Sequence, residues 1–154
     1  MKFIYKMIAT TFGAGYSPFA PGTAGAIVGC AFIWVFEKYE LLSTYDDAII
    51  FAILTALVTL LGVFVTNKLS SDWGKDPSKV VIDELIGVWI AMIFVPFTWV
   101  NLLIAFVLFR FFDIAKPLGV RKMENLKGGV GVMMDDVLAG IYANIVLQVI
   151  IYFI

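Results

Sequence analysis

The sequence contains no histidine and a single cysteine, Cys30. The first absence removes imidazole catalysis, imidazole metal ligands and ordinary zinc sites. The second removes any disulfide within the chain. Charge is also scarce. Asp, Glu, Lys and Arg make up 15% of the 154 residues, against roughly 25% in soluble domains. The net charge is −1 and no long basic run is present, which argues against a nucleic-acid partner. Chemistry here must rest on carboxylates, Lys, Arg, hydroxyls or backbone groups.

What fills the chain is apolar side chain, at 62% of residues, with a mean hydropathy of +0.97. Soluble domains hold roughly 45–50%. The excess rules out a disordered chain, a disulfide scaffold and a water-soluble globule. It predicts an all-α fold: a small polytopic membrane helical bundle, one domain over residues 1–154. The uncharged runs 48–66 and 137–154 match the roughly 20 apolar residues of a membrane span. A third run, 85–109, is broken by Pro96, which removes a helical hydrogen bond. It reads as two helices meeting at a tight turn near 96–98, extending to about Pro77 and Ala115. A weaker helix is expected at 24–36. The sum is four to five membrane-embedded helices. Residues 1–12, with Lys2 and Lys6 among apolar side chains, suit an amphipathic interfacial helix. Five spans would place every Lys and Arg except Lys38 on one side, which the positive-inside rule makes cytoplasmic.

Three segments on that side resist a purely structural reading. In Gly13-Ala-Gly-Tyr-Ser-Pro-Phe-Ala-Pro-Gly-Thr-Ala-Gly25, Pro21-Gly22 signals a turn, and Thr23 could cap a helix beginning at Ala24. Free N–H groups at such a start suit a phosphate, although a well-punctuated helix needs no ligand. In the second segment, Asp76-Pro77 reads as an N-cap and first-turn proline. That start puts Asp83 and Glu84 two turns inside an apolar helix, where a carboxylate is costly unless paired or bound to a cation. Gly87, one turn on, leaves room for a neighbouring backbone or a ligand. In the third, Arg110 and Asp113 share a helix face, Lys116 follows, and Pro117 should end the helix. Gly128-Gly129-Val-Gly131 then reads as a loop. Asp135 and Asp136 stand just before the last helix, where acids also serve as ordinary N-terminal caps.

Taken together, Asp83, Glu84, Asp113, Asp135 and Asp136 lie near one membrane face on three helices. Oxygen ligands suit Mg²⁺, Ca²⁺ or Mn²⁺, and Arg110 and Lys116 suit phosphate oxygens. The residues predict a metal- and phosphate-handling site.

The chain resembles the phosphatidylglycerophosphatase A family. The resemblance lies in Ser17-Pro-Phe-Ala-Pro-Gly-Thr-Ala-Gly25, Val81-Ile-Asp-Glu-Leu-Ile-Gly87, Phe109-Arg-Phe-Phe-Asp-Ile-Ala-Lys-Pro117 and Gly128-Gly-Val-Gly-Val-Met-Met-Asp-Asp-Val-Leu-Ala-Gly140. One departure is Ala26, where a small hydroxyl residue is expected in many members. The resemblance implies Mg²⁺-dependent hydrolysis of the terminal phosphomonoester of phosphatidylglycerophosphate, a phospholipid in the bilayer. It also implies a multi-pass enzyme of the bacterial inner membrane with its site facing the cytoplasm. On that reading Asp83, Glu84, Asp135 and Asp136 hold one or two Mg²⁺ ions, and Arg110 and Lys116 stabilise the phosphoryl charge. Asp113 orients Arg110, binds metal or acts as nucleophile. Gly22, Thr23 and Gly129 are expected at the phosphate or head group. Two other readings remain open: a small cation transporter or channel using the intramembrane acids, and a phosphatase of another lipid phosphate.

Overall fold

The structure is a computed structural model and describes residues 2–74 and 77–153. Its described residues form helices and connecting turns, without a strand. Helices α1 (Lys2–Ala9), α2 (Pro21–Lys38), α3 (Tyr45–Trp73), α4 (Ile82–Ala91), α5 (Trp99–Ala115), α6 (Val120–Met123) and α7 (Gly129–Phe153) follow in order. A 3₁₀ turn at Ala14–Tyr16 links α1 to α2.

The short helix α4 is the hub. Eight of its ten residues are buried. Small residues on its neighbours let backbones approach closely, a packing mode common among helices in lipid. A Cβ added at Gly29 of α2 would stand 3.0 Å from Leu85 O, and one at Gly140 of α7 would stand 2.6 Å from Gly87 O. Gly87 itself leaves room for the Phe109 ring of α5. The Trp89 indole N–H donates to Gly29 O at 3.1 Å. Phe32, Phe36 and Phe51 surround that indole with ring centroids 5.5–5.9 Å away. Such aromatic pairs contribute about 0.5–1.5 kcal/mol each beyond area burial. At the far end of α4, the Asn144 amide donates to Ala91 O at 3.0 Å and Ile93 O at 2.8 Å. These carbonyls lie where a helix runs out of its own donors.

Helix starts differ from the sequence reading at three places. α2 begins at Pro21, with Ala20 in a left-handed conformation at the N-cap (φ 46°) and no side-chain cap. Proline at the first helical position supplies the start, because its missing N–H would be unpaired there anyway. Thr23 therefore lies inside the first turn and is not the cap. α4 begins at Ile82 and not near Pro77. Residues before it are held differently: Val80 N–H donates to Pro77 O at 2.9 Å, and Val81 N–H donates to Ala9 O at 2.9 Å. Asp83 and Glu84 thus occupy the first turn, not a position two turns inside. The expected cap Asp76 lies outside the described residues.

α7 begins at Gly129, well before 137. The glycine-rich stretch is helical because its glycines are packing residues. A Cβ on Gly129 would stand 2.5 Å from Val63 O, and its N–H donates to the Asn67 side chain at 2.7 Å. Asp135 and Asp136 therefore lie nearly two turns inside the last helix, about 10 Å from its start at 1.5 Å per residue. α5 matches expectation better. Thr98 Oγ1 accepts from Asn101 N–H at 2.9 Å, and the helix closes at Lys116, next to Pro117. The connection from α4 to α5 runs over 92–98, longer than a tight turn.

Among the described residues, α3 and α7 are long and apolar enough to cross a membrane. Leu57, Leu60 and Phe64 stand exposed along α3, as a lipid-facing surface requires. Helix length thus supports two spans and does not establish four to five. α4, with ten residues, is too short to cross.

Candidate active site

The starts of α2, α4 and α7 and the end of α5 meet around a cavity of about 470 Å³. Asp83 and Glu84 enter from α4, Arg110 and Asp113 from α5, Lys116 from its cap, and Asp135 and Asp136 from α7. All seven charged residues expected from the sequence line this one space. Gly22 lines it too, beside Ala20 and Pro21. Thr23 and Gly129 do not; the lining glycines of the third segment are Gly128 and Gly131. Glu124, just beyond α6, lines the cavity and was not expected. It stands in a polar loop without periodicity, so no local signal marks it.

The basic groups are already tied to acids. Arg110 donates to Asp113 Oδ2 at 2.5 Å, and both side chains are largely buried. The i, i+3 spacing on α5 makes this contact local. Lys116 donates to Asp135 Oδ2 and to Glu124 Oε1, each at 2.6 Å. Burial opposes the charge on Lys116, but these two carboxylates outweigh it and hold its ammonium well above the ordinary lysine range.

The acids outnumber their partners. Glu84 N–H donates to Asp83 Oδ1 at 3.1 Å. Among the described residues, Glu84 Oε2, Asp135 Oδ1 and Arg110 Nε are buried with no hydrogen-bond partner. Gly22 allows Glu84 to reach the start of α2: a Cβ there would collide with Glu84 Oε1 and lie 3.2 Å from Arg110 Nη1. The positive end of the α2 dipole thus faces the Glu84 carboxylate. Two sets of acids can each bring one oxygen per residue within 4.8 Å of the others: Asp83, Glu84 and Asp136, and Asp113, Asp135 and Asp136. Both offer only oxygen donors. That chemistry, with two buried unpartnered oxygens, fits a hard divalent cation.

A model of the phosphatidylglycerophosphatase A family matches residues 7–151. A relative from Bacteroides thetaiotaomicron, provisionally named a phosphatidylinositol-3-phosphatase, is 53% identical over 152 residues, covering 96% of this chain and 94% of its own. The phosphatidylglycerophosphatase A of Haemophilus influenzae is 42% identical over 149 residues, covering 95% and 88%. That of Escherichia coli is 33% identical over 140 residues, covering 89% and 77%. No solved structure matches the chain. Family and relatives together decide for an enzyme over a transporter. Matched nearly end to end, with its clustered acids and bases in the matched region, this chain belongs to the phosphatidylglycerophosphatase A family.

Proposed function

We propose that this enzyme hydrolyses the terminal phosphomonoester of phosphatidylglycerophosphate and depends on Mg²⁺. The P–O bond to glycerol breaks, the departing glycerol oxygen takes up a proton, and water supplies the hydroxyl that ends on phosphorus, directly or after transfer to Asp113. Phosphatidylglycerol and phosphate result. The observation that carries this reading is the joining of Arg110 and Lys116 with unpartnered carboxylate oxygens in one cavity.

Asp83, Glu84, Asp135 and Asp136 would hold the metal. When bound, Mg²⁺ supplies charge neutralisation and a bound water of lowered pKa. Arg110 offers a planar fork to the phosphoryl oxygens, and Lys116 a point charge. Asp113 fixes the direction of that fork through its ion pair. Gly22 leaves the space that Glu84 and Arg110 occupy beside the start of α2, and so keeps both groups at the cavity wall. Thr23 and Gly129 stand outside the lining and receive no role at the phosphate.

The apolar helices and the bacterial relatives support a multi-pass protein of the bacterial inner membrane. The concentration of Lys and Arg near the cavity end supports a site facing the cytoplasm. The lipid tails would then stay in the bilayer while the head group enters the cavity.

A second substrate has a specific observation in its favour. The 53% identical relative carries the name of a phosphatidylinositol-3-phosphatase. Both lipids present a phosphomonoester on a polar head group. The deciding experiment is phosphate release by the detergent-purified protein from each lipid, with Mg²⁺ and with EDTA. Mg²⁺-dependent release from phosphatidylglycerophosphate is expected. Turnover of phosphatidylinositol 3-phosphate alone would reassign the substrate, and release unchanged by EDTA would remove the metal.

A further inference from the structure

The geometry points to two cation positions in this cavity, with the Asp136 carboxylate shared between them. Asp83 and Glu84 complete the first position, and Asp113 and Asp135 complete the second. The inference rests on the metal-assisted reading above and extends it to the number of ions and the division of their ligands.

Charge is the first reason. Among the described lining residues, six carboxylates face two basic side chains. Glu124 is exposed to solvent; without it, five acids face the two bases and three negative charges are left without a basic counterpart. Uncompensated charge in a buried cluster is costly, and ionised groups away from water demand partners. That excess is more than one divalent ion neutralises.

Oxygen supply is the second reason, and it is independent of the count. Asp136 is only 3% exposed and belongs to both acid sets. In the second set each remaining acid spends one oxygen on a base: Asp113 Oδ2 on Arg110, and Asp135 Oδ2 on Lys116. Asp135 is 7% exposed, and its other oxygen, Oδ1, is buried without a partner. The first set has its own unpartnered oxygen, Glu84 Oε2. Each set therefore keeps a free, buried donor after every protein contact is counted. Two ions clamping one phosphoryl group is also an established solution for phosphate displacement.

The same arrangement accounts for the pairing of the two bases. Both are bound to acids of the second set, and neither is bonded to the first. Arg110 and Lys116 thereby fix the orientation of Asp113 and Asp135, leaving one oxygen of each for a cation.

The test uses the full chain in detergent, stripped of metal and titrated with Mn²⁺ alone. Bound ions are counted by equilibrium dialysis, and electron paramagnetic resonance reports whether they are coupled. The expected result is two Mn²⁺ per chain with an exchange-coupled signal. Asp83→Asn and Asp135→Asn should each retain one ion and give an isolated-ion spectrum. Asp136→Asn should abolish coupling and weaken both positions at least tenfold. One ion per wild-type chain, with an isolated-ion signal, would overturn the shared site while leaving the metal-dependent reading intact. Absence of Mn²⁺ binding, together with phosphate release unaffected by EDTA, would overturn both. The wild-type count decides the matter even where a variant fails to fold.

Discussion

Lys116, which ends α5 in a left-handed conformation, donates to Asp135 Oδ2 on α7 at 2.6 Å, across 19 positions of sequence. This contact joins the end of α5 to the acids that α7 brings to the cavity. Lys116→Ala would leave Asp135 buried without a partner on either oxygen. Loss of one preorganised donor to a developing anion typically costs roughly 100–1000-fold in kcat. A fall of at least that lower size in phosphate release is expected, and thermal unfolding in the same detergent would verify that the variant is folded. Wild-type turnover would remove Lys116 from the site.

Asp136→Asn should separate activity from stability. The side chain is 3% exposed, and no basic group among the described residues pairs with it. Removing its charge from a crowd of carboxylates relieves repulsion in the metal-free protein. The melting temperature should rise by about 2–4 °C for each kcal/mol relieved. Turnover should fall below detection, since function and stability often oppose each other at such sites. Differential scanning in the presence of EDTA checks the first effect, and phosphate release with Mg²⁺ the second.

Gly22→Ala should damage the site from α2. The new methyl group would collide with Glu84 Oε1. Glu84 must move, and a shift of about 1 Å at a reacting centre can cost roughly 100-fold. A clear loss of kcat is expected while the helical signal in circular dichroism stays unchanged. Full activity would mean that Glu84 has room to retreat without consequence.

Gly140→Ala tests the packing of the hub. Its Cβ would stand 2.6 Å from Gly87 O and 3.0 Å from Ile90 Cβ. Forcing extra volume into a tight contact costs about 1–3 kcal/mol. A lower melting temperature in detergent is the expected outcome, with α4 and α7 pushed apart.

Much of this was legible in the chain. The all-helical class follows from the composition, and the end of α5 from Pro117. Arg110 and Asp113 meet as their spacing requires, and the scattered acids converge. The helix starts were less legible for a physical reason. Asp76-Pro77 and Asp135-Asp136 both look like local caps, and local cap chemistry is the same whether or not packing extends the helix. Tertiary contacts decided otherwise. Ala9 O takes the Val81 N–H before α4 begins, and α3 presses on Gly129 so that α7 starts early. Glycine misleads for a related reason. Read alone it signals freedom, whereas at Gly129 it signals the absence of space. Glu124 was invisible because its partner, Lys116, is brought to it only by the fold.

The placement of Asp83 on α4 has a dynamic consequence. That helix is enclosed on its sides by α2, α5 and α7, and its far end is braced by Asn144. Segments so enclosed open only when the whole domain opens, and their amides exchange with solvent last. A chain that had frayed at the last turn of α7 would keep its Asp83 carboxylate in place, since α1 still holds the Val81 N–H through Ala9 O. Loss of catalysis under mild denaturation should then coincide with global unfolding and not precede it.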